Sequence, residues 1–130
     1  MTPEEFLRQL IELALPSFIG HIYTGNGKDF ETFLDEEATE KPSAFISYEG
    51  YVEIDISENG TTTEDAESYK IYLRTDDSVK PYHKALRSEL LANNSEFTDE
   101  DGNAKYVSMP NGQAYRDNGA DAFEITVIVK

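Results

Sequence analysis

The sequence predicts an α+β fold, a mainly antiparallel sheet of about five strands with two helices packed on one of its faces. Two segments, near the N-terminus and after residue 78, repeat apolar residues at helical spacing. Residues 42–75 hold two strand-like runs around a polar loop, and residues 123–129 are rich in β-branched residues. The predicted order is α-β-β-β-α-β-β, and 130 residues fit a single domain, 1–130.

The first helix is predicted over residues 3–14. Thr2 is placed to cap it, Pro3 suits the first helical position, and Glu5 completes a capping box. Pro16 ends the helix because its ring cannot continue the hydrogen-bond pattern. The apolar stripe of this helix, which we expect to pack on the sheet, comprises Phe6, Leu7, Leu10, Ile11, Leu13 and Ala14.

A first strand is predicted over residues 18–23, an apolar and aromatic run that closes at the turn Gly25-Asn26-Gly27. Residues 28–41 are rich in charge, and Asp29 is placed to cap a short helix over residues 30–37.

The central feature is a hairpin, predicted with strands 44–56 and 69–75 around a long loop, 57–68. Gly50 is expected to mark a bulge, because the alternating pattern slips beside it. After the bulge, Val52 and Ile54 alternate with acidic residues, the pattern of a strand with one buried face.

The charges of the two predicted strands suggest cross-strand pairs. Tyr72 should lie on the same face as Lys70 and Arg74, opposite Ile71. We expect these two cationic residues to lie near Glu53 and Asp55 of the outgoing strand, in pairs worth roughly 0.2–1 kcal/mol each.

A turn at Asp76-Asp77-Ser78 precedes a second amphipathic helix, predicted over residues 79–92 and ending at Asn93-Asn94. Residues 94–103 are polar and predict a turn. A strand at 106–109 should break at Pro110-Asn111-Gly112 and extend briefly over 113–116. The last strand, 123–129, has the composition of a strand with neighbours on both sides.

The charge balance limits the class of partner. Lys and Arg total 11 against 26 Asp and Glu, a formal net charge of −15. Such a chain does not bind nucleic acid by neutralising phosphates, and an anionic membrane surface repels it. Cysteine is absent, so disulfide and thiolate chemistry are excluded.

Catalytic and metal-binding patterns are weak in this chain. Gly25–Lys28 lacks the spacing of a phosphate-binding loop, and neither His21 nor His83 lies in a nucleophile–base motif. The segment Asp99–Asn103 superficially resembles a calcium loop, but Phe97 would occupy its first ligand position. We therefore expect a solvated turn there, no metal, no cofactor and no enzymatic activity.

The order of segments resembles the small tail-terminator or tail-completion proteins of long-tailed bacteriophages and their prophage relatives. The resemblance lies in an N-terminal helix at 3–14, a strand ending Ile22-Tyr23, the segment Lys28-Asp29-Phe30 and the entry Lys41–Ile46 into a long hairpin. A helix at 81–91 and a final strand pair complete it.

The resemblance implies a structural protein that forms a ring, usually sixfold, which caps the tail tube and joins it to the head. Its partners would be other copies of the chain, the tail tube protein and a head-completion or neck protein. It would occur in the bacterial host cytoplasm during assembly and then in the virion tail. The candidate interface residues are Tyr51, Glu53, Asp55, Asn59, Glu64, Asp65, Tyr72, Tyr115, Arg116 and Asp117.

The net charge also supports an alternative from another class. A monomeric acidic binding module, of the inhibitor or immunity type, would use carboxylates to block a basic site on its partner.

Overall fold

The computed structural model describes residues 1–26, 42–55, 63–76, 78–115 and 122–130. Two α-helices and six strands are found there, together with a short 3-10 helix, Pro16–Phe18. The helices are α1 (Pro3–Ala14) and α2 (Val79–Ala92). The strands are β1 (Ile22–Asn26), β2 (Ser43–Asp55), β3 (Thr63–Arg74), β4 (Glu96–Thr98), β5 (Ala104–Ala114) and β6 (Ala122–Val129).

The six strands form one sheet in the order β1-β2-β3-β6-β5-β4. The α+β class is confirmed, but the sheet is mixed, because β1 runs parallel to β2 while the other pairings are antiparallel. The additional strand is β4, which lies in the segment expected to be a turn. β4 has three residues, too few for an alternating pattern, and it pairs with β5.

Both helices contribute to one hydrophobic core on a single face of the sheet. The predicted capping box of α1 is confirmed, since the Glu5 N–H donates to Thr2 Oγ1 at 3.1 Å. Phe6 of this helix stacks on Phe97 of β4, with ring centroids 4.7 Å apart. The sheet and its flanks supply further core residues, among them Phe18, Ile22, Ala44, Ile46, Tyr69, Ile71, Leu73, Val107, Met109, Ile125, Val127 and Val129.

The opposite face of the sheet carries a smaller aromatic cluster. Phe45 and Tyr72 are buried there, with Tyr23 and Tyr115 packed against them. Beside the cluster, the Lys70 ammonium lies 3.3 Å from the buried Glu124 carboxylate, which also accepts a hydrogen bond from the Gln113 side chain.

The hairpin differs from its predicted register. Its return strand begins at Thr63, so residues 63–68 belong to β3 and not to the expected loop. Lys70 therefore lies opposite Ser47, and Arg74 opposite Ser43, far along the strand from Glu53 and Asp55. The predicted pairs of Lys70 and Arg74 with these acids are wrong. The return strand is longer than predicted, so the loop is shorter and other residues of β2 lie opposite the two cations.

The predicted bulge at Gly50 is confirmed by a register shift between Tyr48 and Gly50. Gly50 has φ +106, a conformation that residues with a side chain rarely adopt.

Strand β5 does not break at Pro110. It continues through a shift in register between Ser108 and Asn111. At this shift, the absent backbone N–H of Pro110 does not interrupt the hydrogen bonds between β5 and β6. His83 of α2 contacts this part of β5, since its Nε2 lies 2.9 Å from the Met109 carbonyl oxygen.

The boundaries of the second helix agree with those predicted from the sequence, whereas the start of the first strand does not. Helix α2 has its predicted limits and is followed by Asn94 and Ser95, both with positive φ. The first strand starts later than predicted, since Phe18 ends the 3-10 helix and β1 begins at Ile22. β6 has β3 and β5 as neighbours, as expected. The helix predicted over residues 30–37 lies outside the described residues.

Candidate interaction surface

The distal half of the hairpin extends beyond the neighbouring strands. β1 pairs with β2 only as far as Tyr48, and β6 pairs with β3 only from Glu67 onward. From these points outward the described residues form a two-stranded ribbon, Tyr51–Asp55 paired with Thr63–Glu67, in which Glu67 also pairs with Val129 of β6. We call these two segments the ribbon. A two-stranded hairpin is only marginally stable without a packing partner, so this segment is suited to contact another molecule.

The ribbon presents aromatic and acidic side chains to solvent. Tyr51 is 71% exposed. Val52, which was predicted on the buried face of this half of the strand, is 39% exposed, although its cross-strand partner Ala66 is buried. Glu53 lies directly opposite Asp65, and both are exposed. Like charges in this position repel each other, which leaves the pair available to a cationic partner.

The bulge places two tyrosines on the same side of the hairpin. Residues three positions apart face opposite sides of a regular strand, but the extra residue at the bulge turns Tyr51 to the side of Tyr48. The cross-strand partners agree, because Tyr48 lies opposite Tyr69, and Tyr51 opposite Glu67.

These tyrosines line a cleft of about 560 Å³. Tyr48 packs edge-on against Tyr69, with ring centroids 5.2 Å apart, and the Tyr69 hydroxyl donates to Glu67 Oε2 at 3.0 Å. Burial, with Glu4 and Glu67 nearby, raises the pKa of Tyr69 far above its ordinary value, so this hydroxyl is a persistent donor. The cleft is lined by Pro3, Tyr48, Tyr51, Asp65, Ala66, Glu67, Asp99, Lys105, Val129 and Lys130.

Asp99 is committed to its own turn. Its Oδ1 accepts hydrogen bonds from the backbone N–H of Asp101 at 2.9 Å and of Asn103 at 2.8 Å. These bonds, above all the one from Asn103, hold the pKa of Asp99 below its ordinary value. The Lys105 ammonium lies 4.0 Å from Asp99 Oδ2. The described part of the chain contains no group of three or more His, Asp or Glu side chains arranged to hold a metal ion.

Two predicted interface residues, Tyr72 and Tyr115, lie away from the ribbon. Tyr72 is on the predicted face, but it is only 6% exposed and donates to Glu49 Oε1 at 3.1 Å. Burial, together with Glu49, raises the pKa of Tyr72 well above its ordinary value. Tyr115 packs edge-on against it at 5.6 Å. Tyr72 is therefore buried within its own chain, and its role in an interface stays a prediction.

Five of the remaining predicted interface residues lie on the ribbon, and three lie outside the described residues. Glu53, Asp65 and Tyr51 come together on the ribbon. Asp55 and Glu64 occupy strand positions at its distal end, whereas Asn59, Arg116 and Asp117 lie outside the described residues.

Tyr48, Glu67 and Lys105 are among the cleft residues that sequence reasoning missed. The slip in alternation at Gly50 carried the signal for Tyr48, since a bulge reverses the side that the following residues face. No local signal marks Lys105, which joins the cleft through the pairing of β5 with β6 and of β6 with β3.

Both histidines take part in backbone contacts of the fold. His83 bonds the bulged part of β5, and the backbone of His21 connects Phe18 of the 3-10 helix to Ala44 of β2.

Compared with known proteins, the chain matches no family model and no curated protein. In the described segments, neither helix has the length and apolar character needed to cross a membrane.

Proposed function

We propose that this protein is a structural phage tail assembly protein, a tail terminator that forms a ring capping the tail tube and joining it to the head. The observation that supports this proposal is the ribbon, which extends from the sheet with Tyr51, Glu53 and Asp65 exposed. Exposed tyrosine is typical of protein interfaces.

The position of the ribbon suits assembly. The core lies under α1 and α2, whereas the ribbon extends past the ends of β1 and β6. A partner bound to the ribbon would therefore leave the packed core undisturbed. It would cover a segment in which, among the described residues, only Glu67 pairs with a third strand. The proposed partners are other copies of this chain in a hexameric ring, the tail tube protein and a head-completion or neck protein.

The proposed ring is expected to depend on its partner. Each copy has a net charge of −15, so copies repel one another at low salt, and a tail tube that presents cationic groups would offset the repulsion. The proposed locations are the bacterial host cytoplasm during assembly and the virion tail afterwards.

The test combines light scattering after size exclusion with binding to polymerised tail tube protein from the same genome. We expect the chain to sediment with tubes and electron microscopy to show rings at tube ends. Reversing the ribbon charges, with Glu53→Lys and Asp65→Lys together, should abolish sedimentation.

The matched control carries Glu12→Lys and Glu89→Lys, which make the same change in net charge on the two helices. This variant should bind tubes as the parent does. A parent chain that stays monomeric at every concentration and never sediments with tubes would contradict the proposal.

The second candidate function is a monomeric acidic module that blocks a basic protein. It is favoured by the direct opposition of Glu53 and Asp65, a doubled negative charge at one point of the surface. This candidate predicts a one-to-one complex whose affinity falls steeply with salt, and no ring in the presence of tubes.

A further inference from the structure

The cleft beside the ribbon has two walls, one of which combines aromatic rings with carboxylates. One wall, from β2 and β3, carries the rings of Tyr48 and Tyr51 and the side chains of Asp65 and Glu67. The other wall carries Lys105 and Lys130, from β5 and the residue after β6. Its volume of about 560 Å³ lies within the range of ligand pockets, roughly 300–1,000 Å³.

The exposure of the two rings indicates the chemistry of the ligand independently of the charges. Tyr48 is 40% and Tyr51 71% exposed, although both face the same side as buried Tyr69. An aromatic face attracts a cation, and arginine engages it more often than lysine because its guanidinium is planar and weakly hydrated.

The carboxylates supply acceptors for the same group. Glu67 is oriented by the Tyr69 hydroxyl, and Asp65 lies two residues further along the same side of β3. A guanidinium forms bidentate hydrogen bonds with a carboxylate, which an ammonium does not. On the other wall, Lys105 lies near Asp99, so its charge is offset by a partner of its own.

We infer that the cleft binds an arginine side chain of a partner protein, which lies against the rings of Tyr48 and Tyr51 and donates to Asp65 and Glu67. The partner is a different protein with a cationic surface, since a second copy of this chain brings 26 acidic residues against 11 basic ones. The inference rests on the proposed function for its partner, the tail tube or neck protein, and it specifies the contact.

The experiment uses the isolated full chain and two blocked tripeptides, acetyl-Gly-Arg-Gly-amide and the same peptide with citrulline. Citrulline has the shape of arginine without its charge. In an NMR titration, we expect the arginine peptide to shift the amide signals of Tyr48, Tyr51 and Glu67, with weaker binding at high salt. The citrulline peptide should produce no such shifts.

Variants separate the ring from the hydroxyl. Tyr51→Leu should weaken binding of the arginine peptide about tenfold, because it removes the aromatic face, whereas Tyr51→Phe retains it. Tyr106→Leu is the matched control, since Tyr106 is 53% exposed but does not line the cleft. Asp65→Asn should weaken binding and reduce its dependence on salt.

Equal binding of the two peptides, or equal losses in Tyr51→Leu and Tyr106→Leu, would overturn the inference. Its failure can be told apart from failure of the proposed function. Assembly on tubes without arginine-dependent shifts overturns only the arginine site, whereas peptide binding at the cleft without tube binding supports the site and contradicts the assembly role.

Discussion

A single glycine determines which side of the hairpin carries its aromatic groups. Gly50 adopts φ +106 and accommodates one extra residue in β2, so Tyr48 and Tyr51 face the same cleft. A Cβ at this position would meet no neighbouring atom, so the backbone conformation, and not space, requires glycine here.

Two buried phenols should make the protein sensitive to alkali. The pKa values of Tyr69 and Tyr72 are raised in the folded state, so both stay neutral there above the ordinary tyrosine pKa of about 10. Their stabilisation is fully present below that pH and is lost progressively as the pH rises above it, because only the unfolded chain then releases these protons.

Urea unfolding at increasing pH measures this effect. We expect the free energy of unfolding to fall above about pH 10, and to fall less steeply in Tyr69→Phe or Tyr72→Phe. Tyr51→Phe is the control for loss of a hydroxyl at an exposed position. A slope unchanged by the two buried substitutions would show that other groups cause the loss.

Among the elements, those with local signals were predicted best. The limits of α1 and α2 follow from a capping box, helical periodicity and the residues that end each helix, all within a few positions of the chain. The parallel pairing of β1 with β2 and the short strand β4 depend on partners distant in sequence, which periodicity does not identify.

The candidate site shows the same division. Tyr51, Glu53 and Asp65 were predicted at the surface because alternation in β2 and the polarity of the predicted loop, 57–68, are local features. The burial of Tyr72 was not predicted, since it results from packing with Phe45 on the second face of the sheet.

The ribbon should gain order when its facing charges are made complementary. Glu53→Lys places a cation opposite Asp65, and we expect this to stabilise the ribbon by up to about 1 kcal/mol. Asp65→Lys should act similarly, while the two changes together restore a like-charge pair and remove the gain. Amide exchange at residues 52 and 66 measures the opening of the ribbon, and a double variant as protected as either single one would contradict this coupling.

The whole molecule carries a charge imbalance that salt should relieve. With a net charge of −15, long-range repulsion opposes the folded state, and it is screened as ionic strength increases. We expect the urea midpoint to rise between about 0.01 M and about 1 M NaCl, where the Debye length falls from about 30 Å to about 3 Å.

The less acidic variant with Glu12→Lys and Glu89→Lys should gain less from salt than the parent. A midpoint that falls with added salt would mean that attractive pairs such as Lys70 with Glu124 outweigh the overall repulsion.

The central place of β6 has a consequence for the newly made chain. β3 pairs with β6 through residues as distant in sequence as Glu67 and Val129. The β3 edge of the hairpin therefore stays unpaired until residues that are translated much later become available. At synthesis rates of about 5–20 residues per second, the β3 edge remains without its hydrogen-bonding partner for several seconds on the ribosome. Nascent chains of this protein should therefore be clients of ribosome-associated chaperones until Ala122–Val129 emerges.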